Sequence, residues 1–247
     1  MTNGDEKIKI VVNDCIGGTM DIRTGNLPDL PAIHQFKGYN FQLESVQSLI
    51  DLILRKGDPA KTIISGNESG IYAVLDDTIT DRPQDTAYCP YLHSLEFSEW
   101  SKVIGDRMNQ KTFVEFLRRR PPGQVNDFDK LMAAVQTLKI NVQITGESVY
   151  EDNNNVSFVF KSSEKEGKLS LPKTLLVWLP LVLGSADNIF VDFDMEFCIP
   201  KSDTEKPSFV LSMPRKDFFW RQATQKEFDK LKTALPGYLI LDGKKGF

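Results

Sequence analysis

The stretch that decides the fold class is NDFDKLMAAVQTLKINVQI, residues 126–144. The apolar residues of its first part recur at the three- and four-residue spacing of one helix face: Phe128, Leu131, Met132, Val135 and Leu138. Beyond them, Ile140, Val142 and Ile144 alternate with polar residues, which is the period of a strand with one buried face. The change of period predicts a helical first half and a strand-rich second half.

Two further helices are predicted upstream of this stretch. Ser45 precedes apolar residues at helical spacing over 46–53, and Gly57 follows where a left-handed cap is expected. Asn109 is placed to cap a helix that Pro121 ends. Because Ser and Asn side chains accept hydrogen bonds from the first free N–H groups of a helix, both positions predict helix starts.

Three strands are predicted between those two helices. Lys61–Ser65 and Ile71–Leu75 are β-branched runs joined by a turn-rich link of hairpin length, so we expect them to pair antiparallel. A third strand is predicted over Tyr88–Phe97, after a polar loop that contains Pro83.

The second half is predicted to be an antiparallel meander that ends in a helix. Turn-forming residues at 151–155 separate two alternating runs, and further strands are expected over Ile189–Ile199 and Ser208–Ser212. Thr224 and Glu227 have the spacing of a capping box, which predicts the start of the last helix.

The fold class that follows is α+β, with helices mainly in the first half and a largely antiparallel sheet in the second half. Residues 1–31 are expected to form an N-terminal arm. Residues 32–247 are expected to form either a single α+β domain or two fused lobes, 32–138 and 139–247, because one core of this size is near the upper limit for a domain.

Composition and charge exclude several classes of protein. The net charge of −4 supplies no general field that would draw the chain onto nucleic acid or an anionic membrane. The three cysteines are far apart and odd in number, which favours a reducing cytoplasm over a disulfide framework. The first ten residues are too polar for an export signal, and the most apolar run, 175–183, is too short to span a bilayer, so no membrane association is expected.

Four segments carry a resemblance to a known family: the helix opening at Ser45, FSEW at 97–100, QKTFVEFL at 110–117, and Leu171-Pro172 followed by LPLVLG at 179–184. Over Tyr39–Met213 the order of elements resembles the YfdQ-like proteins of phage and prophage genomes, a family defined as a domain of unknown function. The resemblance implies a phage or prophage origin and a location in the cytoplasm of a bacterial host. It supplies no catalytic residues, because the matching positions are packing and turn positions.

Three carboxylates are predicted to share one face of a strand. Asp192, Asp194 and Glu196 alternate with apolar residues, so they lie about 7 Å apart on the same side. That spacing suits a hard cation or a general acid and base, and a metal-assisted hydrolase is one hypothesis. We favour the alternative that they form the solvated face of a one-sided sheet, opposite Lys or Arg on a neighbouring strand.

No catalytic, cofactor-binding or metal-ligating residue is assigned from the sequence. It contains no GxSxG nucleophile elbow and no glycine-rich phosphate loop. His93 lies four residues after Cys89, but its apolar neighbours favour a structural pair over a reactive thiolate. We therefore expect a protein that is not an enzyme and holds no cofactor.

The segment PRKDFFWR, residues 214–221, combines aromatic and basic residues. Arg215, Lys216, Trp220 and Arg221 could stack single-stranded bases and neutralise phosphates, although the acidic net charge predicts weak binding at most. We favour a hydrophobic anchor or a subunit interface, since aromatic residues dominate interface burial.

The candidate interface consists of two apolar segments: Leu175, Leu176, Val177, Trp178, Leu179, Phe218, Phe219 and Trp220. The leading hypothesis is a phage-derived, non-enzymatic protein that forms a homo-oligomer, such as a closed ring or shell, or binds a host or phage protein. The alternative is an accessory protein of phage DNA metabolism that binds single-stranded nucleic acid.

Overall fold

The computed structural model describes residues 38–79, 83–137, 148–150, 155–161, 166–198 and 208–243. The predicted N-terminal arm over 1–31, the alternating positions 140–144 and most of the predicted turn at 151–155 lie outside these residues. The choice between one domain and two fused lobes stays a prediction.

The described elements, in chain order, are β1 (Asn40–Gln42), α1 (Val46–Lys56), β2 (Ile63–Asn67), β3 (Gly70–Val74), β4 (Thr86–Pro90), α2 (Leu95–Ser101), β5 (Arg107–Asn109), α3 (Gln110–Arg118), α4 (Phe128–Thr137), β6 (Ser148–Tyr150), β7 (Asn155–Lys161), β8 (Glu166–Pro172), β9 (Thr174–Leu179), β10 (Ile189–Cys198), β11 (Ser208–Ser212), α5 (Lys216–Ala234) and β12 (Leu239–Asp242).

The first sheet has the strand order β1-β4-β3-β2-β12. Its three central strands pair antiparallel, while β1 and β12 join the two edges in parallel. The predicted hairpin is confirmed in β2 and β3, and Asn67 Oδ1 accepts a hydrogen bond from the N–H of Ser69 at 2.7 Å within its turn. The inner face carries the buried side chains Ile64, Ile71 and Ala73.

The second sheet has the order β5-β11-β10-β9 and is antiparallel throughout. Helices α2 and α3 pack on its inner face, where Trp100 lies 4.9 Å from Phe193 and Phe113 stacks 4.6 Å from Phe209, measured between ring centroids. A third antiparallel sheet has the order β6-β7-β8. Because four of the described helices precede residue 138 and antiparallel strands dominate afterwards, the predicted α+β class is confirmed.

Helix α1 begins and ends where its sequence predicts, but its end differs in conformation. The Oγ of Ser45 accepts a hydrogen bond from the N–H of Ser48 at 3.2 Å. Gly57 has φ −82°, so the predicted left-handed cap is wrong. Glycine is required there for space: a Cβ would lie 2.8 Å from the carbonyl oxygen of Ile53 and 2.9 Å from Oγ1 of Thr62.

The strand predicted over Tyr88–Phe97 is wrong in its second part. Strand β4 ends at Pro90, and α2 begins at Leu95. Ser94 is the reason, because its Oγ accepts a hydrogen bond from the N–H of Phe97 at 3.0 Å and so caps a new helix.

The predicted start of the last helix at Thr224 is also wrong. Helix α5 begins eight residues earlier, at Lys216, and Thr224 lies in its middle, where its hydroxyl donates to the carbonyl oxygen of Trp220 at 3.1 Å. Glu227 is buried and accepts a hydrogen bond from the Ser185 hydroxyl. The apparent capping box is a pair of buried polar side chains: Thr224 bonds to carbonyl groups within α5, and Glu227 links α5 to the β9–β10 connection.

Candidate interaction surface on the second sheet

The outer face of the second sheet carries large apolar side chains in the described part of the chain. Along β9, Leu175, Val177 and Leu179 are buried, while Leu176 is 44% exposed and Trp178 is 40% exposed. This alternation divides the predicted interface segment 175–179 into three core residues and two surface residues. Part of the continuous apolar run therefore forms the core, and the other part forms an exposed surface.

A third apolar side chain extends this face onto β10. Phe190 pairs with Trp178 across the two strands, their ring centroids are 4.4 Å apart, and Phe190 is 59% exposed. Leu176, Trp178 and Phe190 are called the apolar face below. Sequence reasoning did not single out Phe190, although the alternation that places Asp192, Asp194 and Glu196 outward also places Phe190 outward when it is extended by two residues.

The free edge of β9 is closed by the segment before α4. The N–H of Trp178 donates to the carbonyl oxygen of Gln124 at 2.7 Å, and the N–H of Asn126 donates to the carbonyl oxygen of Leu176 at 2.9 Å. The Gln124 side chain is itself held by the indole N–H of Trp100, at 3.2 Å. Since this edge is already paired, a partner would contact the face of β9 and not its edge.

The carboxylates lie on the same outer face, next to the apolar residues. Asp192 Oδ2 accepts from Arg215, at 2.8 Å from Nη2 and 3.2 Å from Nε, while its buried Oδ1 has no hydrogen-bond partner. Asp194 pairs with Thr174 and Glu196 with Val210. The prediction that a Lys or Arg on a neighbouring strand faces these carboxylates is therefore wrong for Asp192, because its partner Arg215 lies in the connection after β11.

A metal site is not formed by these carboxylates as they stand. Within the ranges that the structure describes, no three His, Cys, Asp or Glu side chains are grouped closely enough to hold a metal ion. Asp194 accepts a hydrogen bond of 3.4 Å from the Thr174 hydroxyl. The strand spacing spreads the three carboxylates along the sheet instead of converging them on a point.

The three adjacent aromatic residues of the 214–221 segment lie in the first two turns of α5 and point in different directions. Phe219 is buried beneath the guanidinium of Arg215, which lies 5.2 Å from its ring centroid. Trp220 is half-buried and meets His93 edge-on at 4.7 Å. Phe218 is exposed. Of this triplet, only Phe218 is fully available to a partner, because Phe219 anchors the helix.

The basic residues proposed for nucleic-acid contact are spread around the same helix. Arg215 binds Asp192 as described, and Nε of Arg221 lies 3.1 Å from Oε1 of Glu68. The ammonium of Lys216 lies 5.8 Å from the ring centroid of Phe97. Because each residue turns the helix by about 100°, Lys216 and Trp220 share a face and Arg221 lies on another.

The surroundings of Cys89 and His93 do not favour a reactive thiolate–imidazolium pair. Burial, with a smaller contribution from Glu227, raises the pKa of the Cys89 thiol to about 11, which keeps it protonated. His93 lies beyond the end of β4, with its ring 4.8 Å from that of Phe97. Desolvation and then the neighbouring Lys216 lower the pKa of His93, so neutral imidazole is favoured.

A cavity of about 370 Å³ lies between the β2–β3 turn, α5 and the end of β12. Tyr91 and Phe228 contribute its apolar wall, and Arg221 spans its polar rim to Glu68. The Gln225 amide in its wall donates to Asp229 at 2.8 Å. Arg221 and Glu68 are already paired with each other, and the Tyr91 hydroxyl, which has no hydrogen-bond partner among the described residues, is a single polar group, so the cavity does not define a class of ligand.

The described residues thus define an α+β protein whose most distinctive surface is an apolar sheet face beside an Arg–Asp ion pair. The chain belongs to the family described as uncharacterized conserved protein (DUF2303), which matches residues 23–236. No curated protein and no solved structure matches the chain. None of the described helices is long and apolar enough to cross a membrane.

Proposed function

We propose that this protein is non-enzymatic and acts by homo-oligomeric assembly through the apolar face. The observation that carries the proposal is the contiguity of Leu176, Trp178 and Phe190, which are 40–59% exposed on neighbouring strands. Aromatic side chains at such exposure are enriched where protein surfaces meet, because each removes a large apolar area from water on contact.

The surroundings of the apolar face also suit a protein interface. Asp192 and Arg215 form an ion pair at its border, and Arg is one of the residues enriched at the energetically important positions of interfaces. The closed edge of β9 prevents uncontrolled strand addition at this end of the sheet. Contact is thereby directed to the face, where side-chain shape sets specificity.

We also propose that the protein originates from a phage or prophage and works in the cytoplasm of its bacterial host. Its support is the resemblance of the segments at 97–100, 110–117 and 179–184 to YfdQ-like proteins. A host or phage protein that occupies the same apolar face is the alternative form of this proposal, and the test below separates it from self-association.

The test is the native mass of the purified protein, by size-exclusion chromatography with light scattering at tens of micromolar. We expect an oligomer for the wild type and a smaller species for Trp178→Glu, with an unchanged circular dichroism spectrum. Leu95→Glu is the matched control, because Leu95 is 74% exposed on α2 and the same charge is introduced outside the apolar face. A monomeric wild type, or equal effects of the two variants, would refute self-association through this face.

A further inference from the structure

We infer that β12 is a second, separate contact, which pairs antiparallel with β12 of a second copy about a two-fold axis through Leu241. This extends the proposed assembly by a contact that does not depend on the apolar face. The first sheet would then continue from one copy into the next, with β12 beside β12 at its centre.

Strand β12 lies at one edge of the first sheet, and the backbone groups on its side toward β2 are hydrogen-bonded to that strand. It pairs in parallel with β2, and the N–H of Gly243 donates to the carbonyl oxygen of Gly66 at 2.7 Å. Backbone N–H and C=O groups point alternately to the two edges of a strand, so the backbone groups of Leu239 and Leu241 point to β2, as those of Gly243 do. The N–H and C=O groups of Ile240 and Asp242 therefore point away from the sheet.

Those outward groups are unpaired within the part of the chain that the structure describes. The strand reads Leu-Ile-Leu-Asp and lacks the proline, lysine or bulge that commonly protect an edge. Leu239 is 50% exposed and Leu241 is 46% exposed on the outer side of the sheet. An edge of this kind is a template for another strand.

The register follows from which groups are free. With the axis at Leu241, Ile240 lies opposite Asp242 of the second copy, and each such pair exchanges two N–H···O bonds, about four in all. An axis at Ile240 would need the N–H of Tyr238, which already donates to the carbonyl oxygen of Leu235 at 3.3 Å. An axis at Asp242 would place two carboxylates directly opposite, which is unfavourable.

Charge does not oppose the chosen register. The carboxylate of Asp242 lies 3.2 Å from the ammonium of Lys232 on α5, so the single acidic residue of the strand is neutralised within its own copy. In the two-fold pair, Leu241 faces itself at a Cα separation of about 4.5 Å, the spacing of a non-hydrogen-bonded antiparallel pair. A second copy of the strand is thus complementary to the first in backbone hydrogen bonds and in the contact between the two Leu241 side chains, and charge does not oppose the pairing.

The self-facing position gives a charge-swap experiment. Leu241→Lys places two ammonium groups opposite each other, and Leu241→Glu does the same with carboxylates. Because this repulsion adds to the loss of the Leu–Leu contact, each variant should raise the dissociation constant of the β12 pair roughly 10-fold. An equimolar mixture of the two should restore association to within about threefold of wild type, because Lys then faces Glu. Sedimentation velocity over a concentration series measures each case, and circular dichroism checks that each variant folds.

Leu239 is the matched control, because it has similar exposure but faces Gly243 of the second copy and not itself. A mixture of Leu239→Lys and Leu239→Glu should show no restoration relative to the single variants. Restoration by the Leu239 pair, no effect of Leu241→Lys, or no restoration by the Leu241 pair would overturn the inferred contact.

The same measurements on a Trp178→Glu background separate this contact from the apolar face. We expect that background to dimerise and to lose the dimer on addition of Leu241→Lys. A Trp178→Glu protein that is monomeric, while the wild type is not, would overturn the β12 contact and leave the proposed function standing. An assembly that responds to Leu241→Lys but not to Trp178→Glu would overturn the proposed contact through the apolar face and leave the β12 contact standing.

Discussion

Ser94→Ala should destabilise the fold more than a second helix-cap substitution of the same type. The Oγ of Ser94 accepts from the N–H of Phe97 at 3.0 Å, and its hydroxyl donates to the carbonyl oxygen of Pro180 at 2.6 Å. Ser94 is buried, so a water molecule would not easily take over the hydrogen bonds of the lost hydroxyl. One side chain thus starts α2 and also fixes the chain that leaves β9.

The magnitude follows from the two bonds. Loss of an N-cap costs about 1 kcal/mol, and leaving the partly buried Pro180 carbonyl without its donor adds roughly 1 kcal/mol. With a urea m-value of about 2–3 kcal/mol/M, a loss of roughly 2 kcal/mol lowers the unfolding midpoint by about 0.7–1 M.

Ser45→Ala supplies the comparison. Ser45 caps α1 by the same kind of bond, to the N–H of Ser48, but its hydroxyl is at the surface, and among the described residues its other hydrogen bond is to the Ser48 hydroxyl. Its loss should cost about 1 kcal/mol or less. Both variants are unfolded in urea at one protein concentration, because association adds to apparent stability. Equal midpoints for the two variants would refute the structural function assigned to the Ser94–Pro180 bond.

Three further outcomes are expected. Gly66→Ala places a Cβ in steric conflict with the Phe228 ring and should cost about 1–3 kcal/mol in urea unfolding, with partial recovery when Phe228→Leu is added. The pKa of His93, followed by NMR, should lie below the usual value and should rise in Lys216→Met. Because the folded state disfavours the charged imidazole, the free energy of unfolding should decrease as pH falls from the unfolded pKa near ~6.5 toward the lower folded pKa. A labelled single-stranded oligonucleotide should bind weakly at most, and tight, strongly salt-dependent binding that Trp220→Ala abolishes would instead favour the nucleic-acid hypothesis.

Local signals predicted the parts of the fold that local interactions determine. Ser45 and Asn109 cap their helices, as each Oγ or Oδ1 accepts an N–H three residues later. The β2–β3 hairpin has only two residues between its strands, so its pairing partner is close in sequence. In these cases the residues that decide the structure lie within one turn or one hairpin of each other.

The remaining elements depend on partners that are distant in sequence. Ser94 caps α2 within a run that resembles a strand, and the carbonyl it holds belongs to Pro180. Strand β12 was not predicted, because its pairing joins Leu239 to Ile63, far earlier in the chain. Trp178 lies outside the core because only one face of β9 is covered by other elements. The packing of the sheet determines this, and the apolar run itself does not reveal it.

The two proposed contacts differ in symmetry, and this difference predicts how the assembly should come apart. Pairing of β12 about Leu241 is isologous, so by itself it stops at a dimer. The proposed contact through the apolar face would join such dimers, since Trp178 and β12 belong to different sheets. Trp178→Glu should therefore leave dimers, Leu241→Lys should leave units joined by the apolar face, and the double variant should be a monomer.

Native mass spectrometry of these proteins measures the order of disassembly directly. The free-energy effects of the two substitutions should be additive, because distant sites without shared partners behave independently. Leu95→Glu combined with Leu239→Lys serves as the doubly charged control and should retain contact through the apolar face. A double variant, Trp178→Glu with Leu241→Lys, that keeps the wild-type mass would show that the assembly uses neither surface.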